Sequence, residues 1–193
     1  LAFKVATDPH LGKLVFLRLY SGTLLKGAAV ENSAARRAER IGRLFRIHAN
    51  RREELAGAEA GDIVAVSGLR HTSTGDTLCD PSRPILLERM AFPDPVVSVI
   101  LEPRSQSDAS GLERALAGLL EEDPTLRMAT DAESGQVVLA GMGELHIEIL
   151  VERLAREHGV RVRVGRPQVA YRETITKPAR AEMELERQDP RTG

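Results

Sequence analysis

Residues 143–164 read GELHIEILVERLAREHGVRVRV and predict a helix followed by a strand. The apolar residues of the helix recur at the three- and four-residue spacing of a buried stripe: Ile147, Leu150, Val151 and Leu154. Gly159 marks the end of the helix, and His158 places an imidazole near its negative end. The strict alternation of valine and arginine in 160–164 then predicts a half-buried strand.

The residues before this helix complete a βαββαβ order. Three further strands are predicted, at 96–101, 125–130 and 136–140. Another helix precedes residue 125, with Ser107 or Asp108 as its N-cap and Pro124 at its end. Its apolar stripe consists of Leu112, Ala115, Leu116, Leu119 and Leu120. The order predicts a ferredoxin-like α+β domain at residues 95–166.

Residues 1–91 predict a small all-β barrel. Short runs rich in β-forming residues alternate with turn signals, at 14–20, 28–30, 41–48, 62–66 and 85–87. Residues 36–40 are too polar and too short to count as a helix. Two prolines within 90–95 cannot continue a ladder and mark the boundary. Residues 167–193 are predicted to be the truncated start of a third unit, because they are too few to bury a core alone. We therefore expect an internal fragment of a multidomain protein.

Composition narrows the class of protein. Hydrophobic residues make up 42% and charged residues 28%, as in ordinary globular domains, and only 3% aromatics imply an aliphatic core. The lone Cys79 excludes an internal disulfide or a cysteine-based metal site. No apolar run is long enough to span a bilayer, so we expect a cytoplasmic protein with no membrane partner. Residues 1–90 contain 14 Lys and Arg against 10 Asp and Glu, whereas residues 91–193 contain 13 against 18. This asymmetry favours two units with different partners.

A cluster of arginines is the strongest binding signal in the first half. It comprises Arg36, Arg37, Arg40, Arg43, Arg46, Arg51 and Arg52. Guanidinium groups at this density suit phosphate binding. The alternative is a solvated rim that Glu53 and Glu54 partly neutralise.

Nucleotide chemistry finds no support in the motifs. The chain contains no Gly-x-x-x-x-Gly-Lys-Ser/Thr phosphate loop. Residues 141–143 (GMG) do not complete a dinucleotide fingerprint, because His146 occupies the place of the third glycine and Glu144 would bring a carboxylate to the phosphate. The segment reads either as a helix start or as an exposed docking loop. We expect Leu145 to join the buried stripe and His146 to face another surface. No catalytic residue and no metal ligand is predicted.

Several motifs resemble the elongation factor G family of translational GTPases, in collinear order. In the first half they are TDPHLGKL (7–14), RLYSGTL (18–24), GRL (42–44), HAN (48–50), REE (52–54) and GDTLCD (75–80). In the second half they are EEDPT (121–125), TD (130–131), GMGELH (141–146) and GRPQVAYRETI (165–175). The final QDPRTG (188–193) departs from the glycine-rich loop that the family has there, which leaves a diverged paralogue as an alternative.

The resemblance implies a part of a GTP-dependent translation elongation factor that drives ribosomal translocation of tRNA and mRNA. The chain would contain the second and third domains and the start of the fourth. GTP and Mg²⁺ would belong to an absent GTPase domain, so this fragment would hold no cofactor and would not be an enzyme. The parent would be monomeric. The implied partners are the ribosome, through small-subunit rRNA at the arginine cluster and a small-subunit ribosomal protein, and the absent GTPase domain. The implied interdomain, switch-facing interface comprises Thr130, Met142, Gly143, Glu144 and His146.

Two rival functions use the same topology. A free-standing RNA-binding module of the RRM type stacks bases on aromatic side chains of its central strands. The predicted strands at 96–101 and 136–140 contain no aromatic residue. A ligand-binding regulatory module on the ferredoxin-like scaffold stays open, because fold alone does not determine function.

Overall fold

The first ten strands form the all-β part of the computed structural model, which describes residues 1–49, 51–131, 135–166, 174, 176–178 and 180–183. Their bounds are β1 Ala2–Asp8, β2 Gly12–Arg18, β3 Thr23–Leu25, β4 Ala29–Asn32, β5 Arg37–Arg40, β6 Leu44–His48, β7 Arg51–Leu55, β8 Gly57–Glu59, β9 Ile63–Ser67 and β10 Leu78–Cys79. Strand pairing within this set is antiparallel. The predicted all-β barrel is confirmed.

The strands of the barrel form three sheets around one aliphatic core. The sheet orders are β1-β2-β9-β6-β7, β10-β4-β5 and β3-β8. Alternating side chains from these sheets meet inside, among them Val15, Leu44 and Val66, each less than 1% exposed. Strands β5 and β7 are terminal strands of their sheets, and both carry arginines of the cluster.

The second part has the predicted βαββαβ order. Its elements are β11 Val97–Pro103, α1 Gln106–Glu122, β12 Arg127–Thr130, β13 Val137–Gly141, α2 Glu144–His158 and β14 Val162–Gly165. The sheet order is β12-β13-β11-β14, with antiparallel neighbours. The ferredoxin-like fold class is therefore confirmed.

Both predicted helix stripes face the core. Leu112, Leu116 and Leu119 of α1 pack with Ile147, Leu150 and Leu154 of α2, and each is 3% exposed or less. The end of α2 also follows the prediction, because Gly159 adopts a left-handed backbone with φ 67° and its N–H bonds the Leu154 carbonyl.

Two local predictions were wrong, and two strands were not predicted. The N-cap of α1 is Ser105, whose Oγ accepts the Asp108 N–H at 3.1 Å, and not Ser107 or Asp108. Residues 85–87 are not a strand, and the Leu87 N–H goes to Thr77 Oγ1 at 3.1 Å. The polar residues Arg37–Arg40 and Arg51–Leu55 form strands that the sequence analysis did not include. Terminal strands tolerate polar side chains, so hydrophobicity did not reveal them.

The domain limits 1–91 and 95–166 stay predictions. Most of the predicted third unit at 167–193 lies outside the described residues. No helix in the described ranges is long and apolar enough to cross a membrane.

Candidate functional site

The seven arginines of the cluster lie on two different sheets. Arg37 and Arg40 are in β5, and Arg36 is in the turn before it. The other four lie in or beside the β6–β7 hairpin: Arg43, Arg46, Arg51 and Arg52. All are exposed except Arg46, which is half-buried.

Three of the hairpin arginines are held by carboxylates. Arg43 binds Glu54 with two N–H groups, Nε at 3.0 Å and Nη2 at 2.6 Å. Arg46 lies 3.8 Å from Glu53. Arg52 pairs with Asp8 of β1. These guanidinium groups already have anionic partners, so they are weaker candidates for phosphate binding.

The remaining arginines have no carboxylate partner in the part of the chain that the structure describes. They are Arg36, Arg37, Arg40 and Arg51. Arg37 Nη1 lies 3.4 Å from His71 Nδ1, a neutral neighbour when that nitrogen accepts. Their donors face solvent, which leaves them available to an anion such as a phosphate.

The turn that carries Arg36 is stabilised from inside the barrel. Asn32 is fully buried, and its Oδ1 accepts the N–H groups of Ala34 at 3.1 Å and Ala35 at 2.9 Å. The backbone of Arg36 has φ 52°, a left-handed conformation that residues other than glycine rarely adopt. Such a conformation persists where the surrounding structure holds it. The β4–β5 turn therefore presents Arg36 and Arg37 in a defined geometry.

Arg70 and His71 extend this surface, and sequence reasoning missed them. Both are exposed and belong to a loop after β9. They lie far along the chain from Arg37, so no local pattern could have linked them to the cluster. Tertiary contacts with Arg37 and Glu39 bring the loop to β5.

The predicted interface residues 142–146 sit at the start of α2. His146 Nδ1 accepts the Met142 N–H at 3.2 Å, so Nε2 carries the proton and donates to Asp123 Oδ2 at 3.0 Å. Burial alone would raise the pKa of Asp123, but hydrogen bonds from Thr125 and the neighbouring His146 lower it below its usual value. Both imidazole nitrogens are thus engaged inside the domain. Gly143 is half-buried and Glu144 is exposed.

Leu145 contradicts our expectation. Its side chain is 68% exposed, whereas Ile147 is 3% exposed. Two residues rotate a helix by about 200°, so Leu145 faces away from the stripe that begins at Ile147. Ile149, four residues on and 48% exposed, shares the outer face with Leu145. The start of α2 therefore presents apolar side chains outward, and His146 rather than Leu145 turns inward.

Thr130 does not group with residues 142–146. The register pairs Thr130 with Val137 and Arg127 with Ala140. Thr130 therefore lies at the end of β12 that is remote from the start of α2, about 10 Å along the strand. An interface of ordinary size can span this separation, so the grouping of Thr130 with residues 142–146 stays a prediction.

A cleft of about 1040 Å³ runs between α2 and strands β11 and β14. Its floor includes Val99 and Val151, and its rim mixes arginines such as Arg161 with glutamates such as Glu148. The mixed rim favours neither an anionic nor a cationic ligand. Among the described residues, no three His, Cys, Asp or Glu side chains are grouped to hold a metal ion.

Comparisons with known proteins identify both parts of the chain. Residues 12–79 match the family described as elongation factor Tu domain 2, and residues 92–166 match elongation factor G, domain III. Elongation factor G of Pseudothermotoga lettingae is 56% identical over 97% of this chain, and the chain spans 27% of that relative's length. A crystal structure of a protein from Thermus thermophilus is 36% identical with a TM-score of 0.76, covering 90% of this chain and 26% of that one.

Proposed function

Because this chain belongs to the elongation factor G family, we propose that it is part of a GTP-dependent translation elongation factor. The parent protein moves tRNA and mRNA through the ribosome and works as a cytoplasmic monomer. This part binds the ribosome and couples the GTPase domain to the rest of the factor. GTP and Mg²⁺ are held by that GTPase domain, outside this chain, and the chain alone is not an enzyme.

The barrel supplies the contact with small-subunit rRNA. The observation that carries this assignment is the set of exposed arginines without a carboxylate partner among the described residues: Arg36, Arg37, Arg40 and Arg51. A rigid turn presents two of them. RNA offers a regular row of phosphates, and arginine binds phosphate with paired N–H groups.

The ferredoxin-like domain lies between the GTPase domain and a small-subunit ribosomal protein. Support comes from the exposed apolar face of α2, where Leu145 and Ile149 point outward beside Glu144. Adjacent exposed apolar side chains bordered by polar residues are typical of a surface that another protein covers. In this proposal Met142, Gly143 and Glu144 belong to the interface, whereas His146 supports it from inside.

A salt titration of ribosome binding tests the rRNA contact. Arg37→Ala is expected to weaken binding of the chain to small ribosomal subunits and to lower the slope of log affinity against log salt by roughly one unit. Arg114→Ala, which removes an exposed arginine from α1, is the matched control and should change neither value. If the salt slope is unchanged in all three variants Arg37→Ala, Arg36→Ala and Arg40→Ala, the arginines do not bind phosphate and form a solvated rim.

The rival functions gain less from the structure. The central strands of the second sheet are β13 and β11, and neither contains an aromatic side chain on which an RRM could stack a base. The cleft beside α2 has a rim of mixed charge, so its electrostatics do not indicate which class of ligand a regulatory module would bind there. A diverged paralogue would share both domains and both surfaces.

A further inference from the structure

A buried polar network lies beneath the exposed arginines Arg36, Arg37 and Arg40, which we call the arginine surface. Asn32 and Thr72 are fully buried, and Glu39 is 9% exposed. Asn32 Nδ2 donates to Asp76 Oδ2 at 2.8 Å and lies 3.5 Å from Thr72 Oγ1. Thr72 Oγ1 in turn donates to Glu39 Oε1 at 2.5 Å. Buried polar groups are costly unless they are bonded in this way, so the network constrains every segment that it joins.

Glu39 connects the network to the loop after β9. Its Oε2 accepts the Arg70 N–H at 2.6 Å and the His71 N–H at 2.9 Å. Burial would raise the pKa of Glu39, but the hydrogen bonds from His71, Thr72 and Arg70 lower it below its usual value. The carboxylate is therefore charged at neutral pH and holds the backbone of two consecutive loop residues.

The held backbone places the His71 side chain against β5. His71 Nδ1 lies 3.4 Å from Arg37 Nη1, and both Arg70 and His71 are exposed. On the other side of β5, Asn32 holds the turn that carries Arg36. One buried network thus sets the positions of two cationic segments that are more than 30 residues apart in sequence.

We propose that Arg70 and His71 complete a phosphate-binding surface with Arg36, Arg37 and Arg40, and that Glu39 is the positioning residue that holds them there. The ligand is the phosphodiester backbone of RNA. The proposal rests on the proposed function of the barrel. It adds the loop after β9 to the phosphate-binding site, and it explains why the Glu39 carboxylate is buried beneath a cationic surface.

Whether loss of the Glu39 charge weakens or strengthens RNA binding distinguishes a positioning role from a simple charge effect. A negative charge under a cationic surface repels phosphate, so its removal alone would strengthen RNA binding. If Glu39 positions Arg70 and His71, removal of its charge instead weakens binding, because the loop loses its anchor. The two explanations predict opposite changes.

The experiment compares Arg70→Ala, Glu39→Gln and a control of equal charge, Glu53→Gln, in the full chain. Glu53 is exposed and its carboxylate lies 3.8 Å from Arg46. Binding to small ribosomal subunits is measured across a salt series. Arg70→Ala is expected to weaken binding about three- to tenfold and to lower the salt slope. Glu39→Gln is expected to weaken binding, whereas Glu53→Gln is expected to leave it unchanged or stronger. In the double variant of Glu39→Gln with Arg70→Ala, binding should weaken by less than the sum of the two single effects, because part of the Glu39 effect acts through Arg70.

Each other result overturns a stated part of the proposal. Unchanged binding in Arg70→Ala, with Arg37→Ala still weakened, removes the loop from the site and leaves the proposed function intact. No change in either variant contradicts the proposed function itself. Stronger binding in Glu39→Gln shows that the carboxylate acts as a charge and not as an anchor. Circular dichroism melts confirm that each variant is folded, and if Glu39→Gln is not, Arg70→Ala decides the loop assignment.

Discussion

His146 stabilises the start of α2 through both of its ring nitrogens. One nitrogen accepts the Met142 N–H, and the other donates to Asp123 at the end of α1. The N-cap Gly143 makes no side-chain hydrogen bond, because glycine has no side chain to offer. His146 therefore joins the strand-to-helix turn to the neighbouring helix. By accepting a free backbone N–H at the helix start, it also does what an N-cap side chain does in other helices.

The first prediction compares three consecutive residues of α2. His146→Ala is expected to destabilise the chain by about 0.5–1.5 kcal/mol, because it leaves the partners of two hydrogen bonds unpaired. Leu145→Ala should stay within about 0.5 kcal/mol of wild type, since the side chain is already exposed. Ile147→Ala should cost about 2–5 kcal/mol as a buried residue. Urea unfolding measures all three, and a cost for Leu145→Ala that equals that of Ile147→Ala would contradict this arrangement.

The β6–β7 hairpin depends on a carboxylate that is shared by two cations. Glu54 in β7 binds Arg43, which precedes β6, and Lys26 Nζ at 2.9 Å. The hydrogen bonds from Arg43 and then Lys26 lower the pKa of Glu54 to about 2. Glu54 thus joins β7, the terminal strand of its sheet, to a neighbouring loop, and the same contact withdraws Arg43 from the free arginine surface.

The second prediction concerns the acid stability of this hairpin. The folded chain binds a proton at Glu54 less readily than the unfolded chain does, so the contact stabilises above the usual pKa near 4.5 and is lost as pH falls toward about 2. Thermal midpoints of wild type should therefore fall more steeply between those pH values than those of Glu54→Gln. Glu53→Gln, from the same strand, should follow wild type. Parallel curves for wild type and Glu54→Gln would show that the pair contributes nothing.

At the scale of the whole molecule, the end of α1 contacts the barrel. Glu122 Oε1 accepts the N–H of Thr7 in β1 at 2.7 Å, and its Oε2 accepts from Arg153 of α2 at 2.7 Å. Lys13 of β2 pairs with Glu121 at 3.1 Å. Strand β1 is terminal in its sheet, so Glu122 satisfies a strand N–H that has no neighbouring strand on that side. The two parts of the chain are linked by specific polar contacts.

The third prediction tests this link. Glu122→Ala is expected to speed hydrogen exchange at the Thr7 amide, because that N–H loses its acceptor and opens to water. Amides in the interior of β9 should keep their protection. Glu113→Ala removes an exposed carboxylate from the same helix and serves as the control. Equal exchange at Thr7 in wild type and Glu122→Ala would mean that the contact does not persist in solution.

The sequence by itself determined the two fold classes, the helix stripes and the family. These properties follow from periodicity and from short motifs, because neighbours within one or two turns decide which face of an element is apolar. The stripe of α2 was therefore predictable from Ile147, Leu150 and Leu154. The first turn was not: Leu145 and His146 are neighbours, and their directions depend on where the helix starts and on Asp123 in another helix.

Only the tertiary structure decided which arginines are free. Arg43, Arg46 and Arg52 look identical to Arg36, Arg37 and Arg40 in the sequence. The β6–β7 pairing brings Glu54 to Arg43 across 11 residues. Contact between the terminal strands β1 and β7 brings Asp8 to Arg52 across 44 residues, and Glu39 reaches Arg70 across 31. Ion pairs and buried hydrogen bonds form between whatever groups the strand register brings together. That register is set by the whole barrel, so no local pattern could show which cations keep their donors for a ligand.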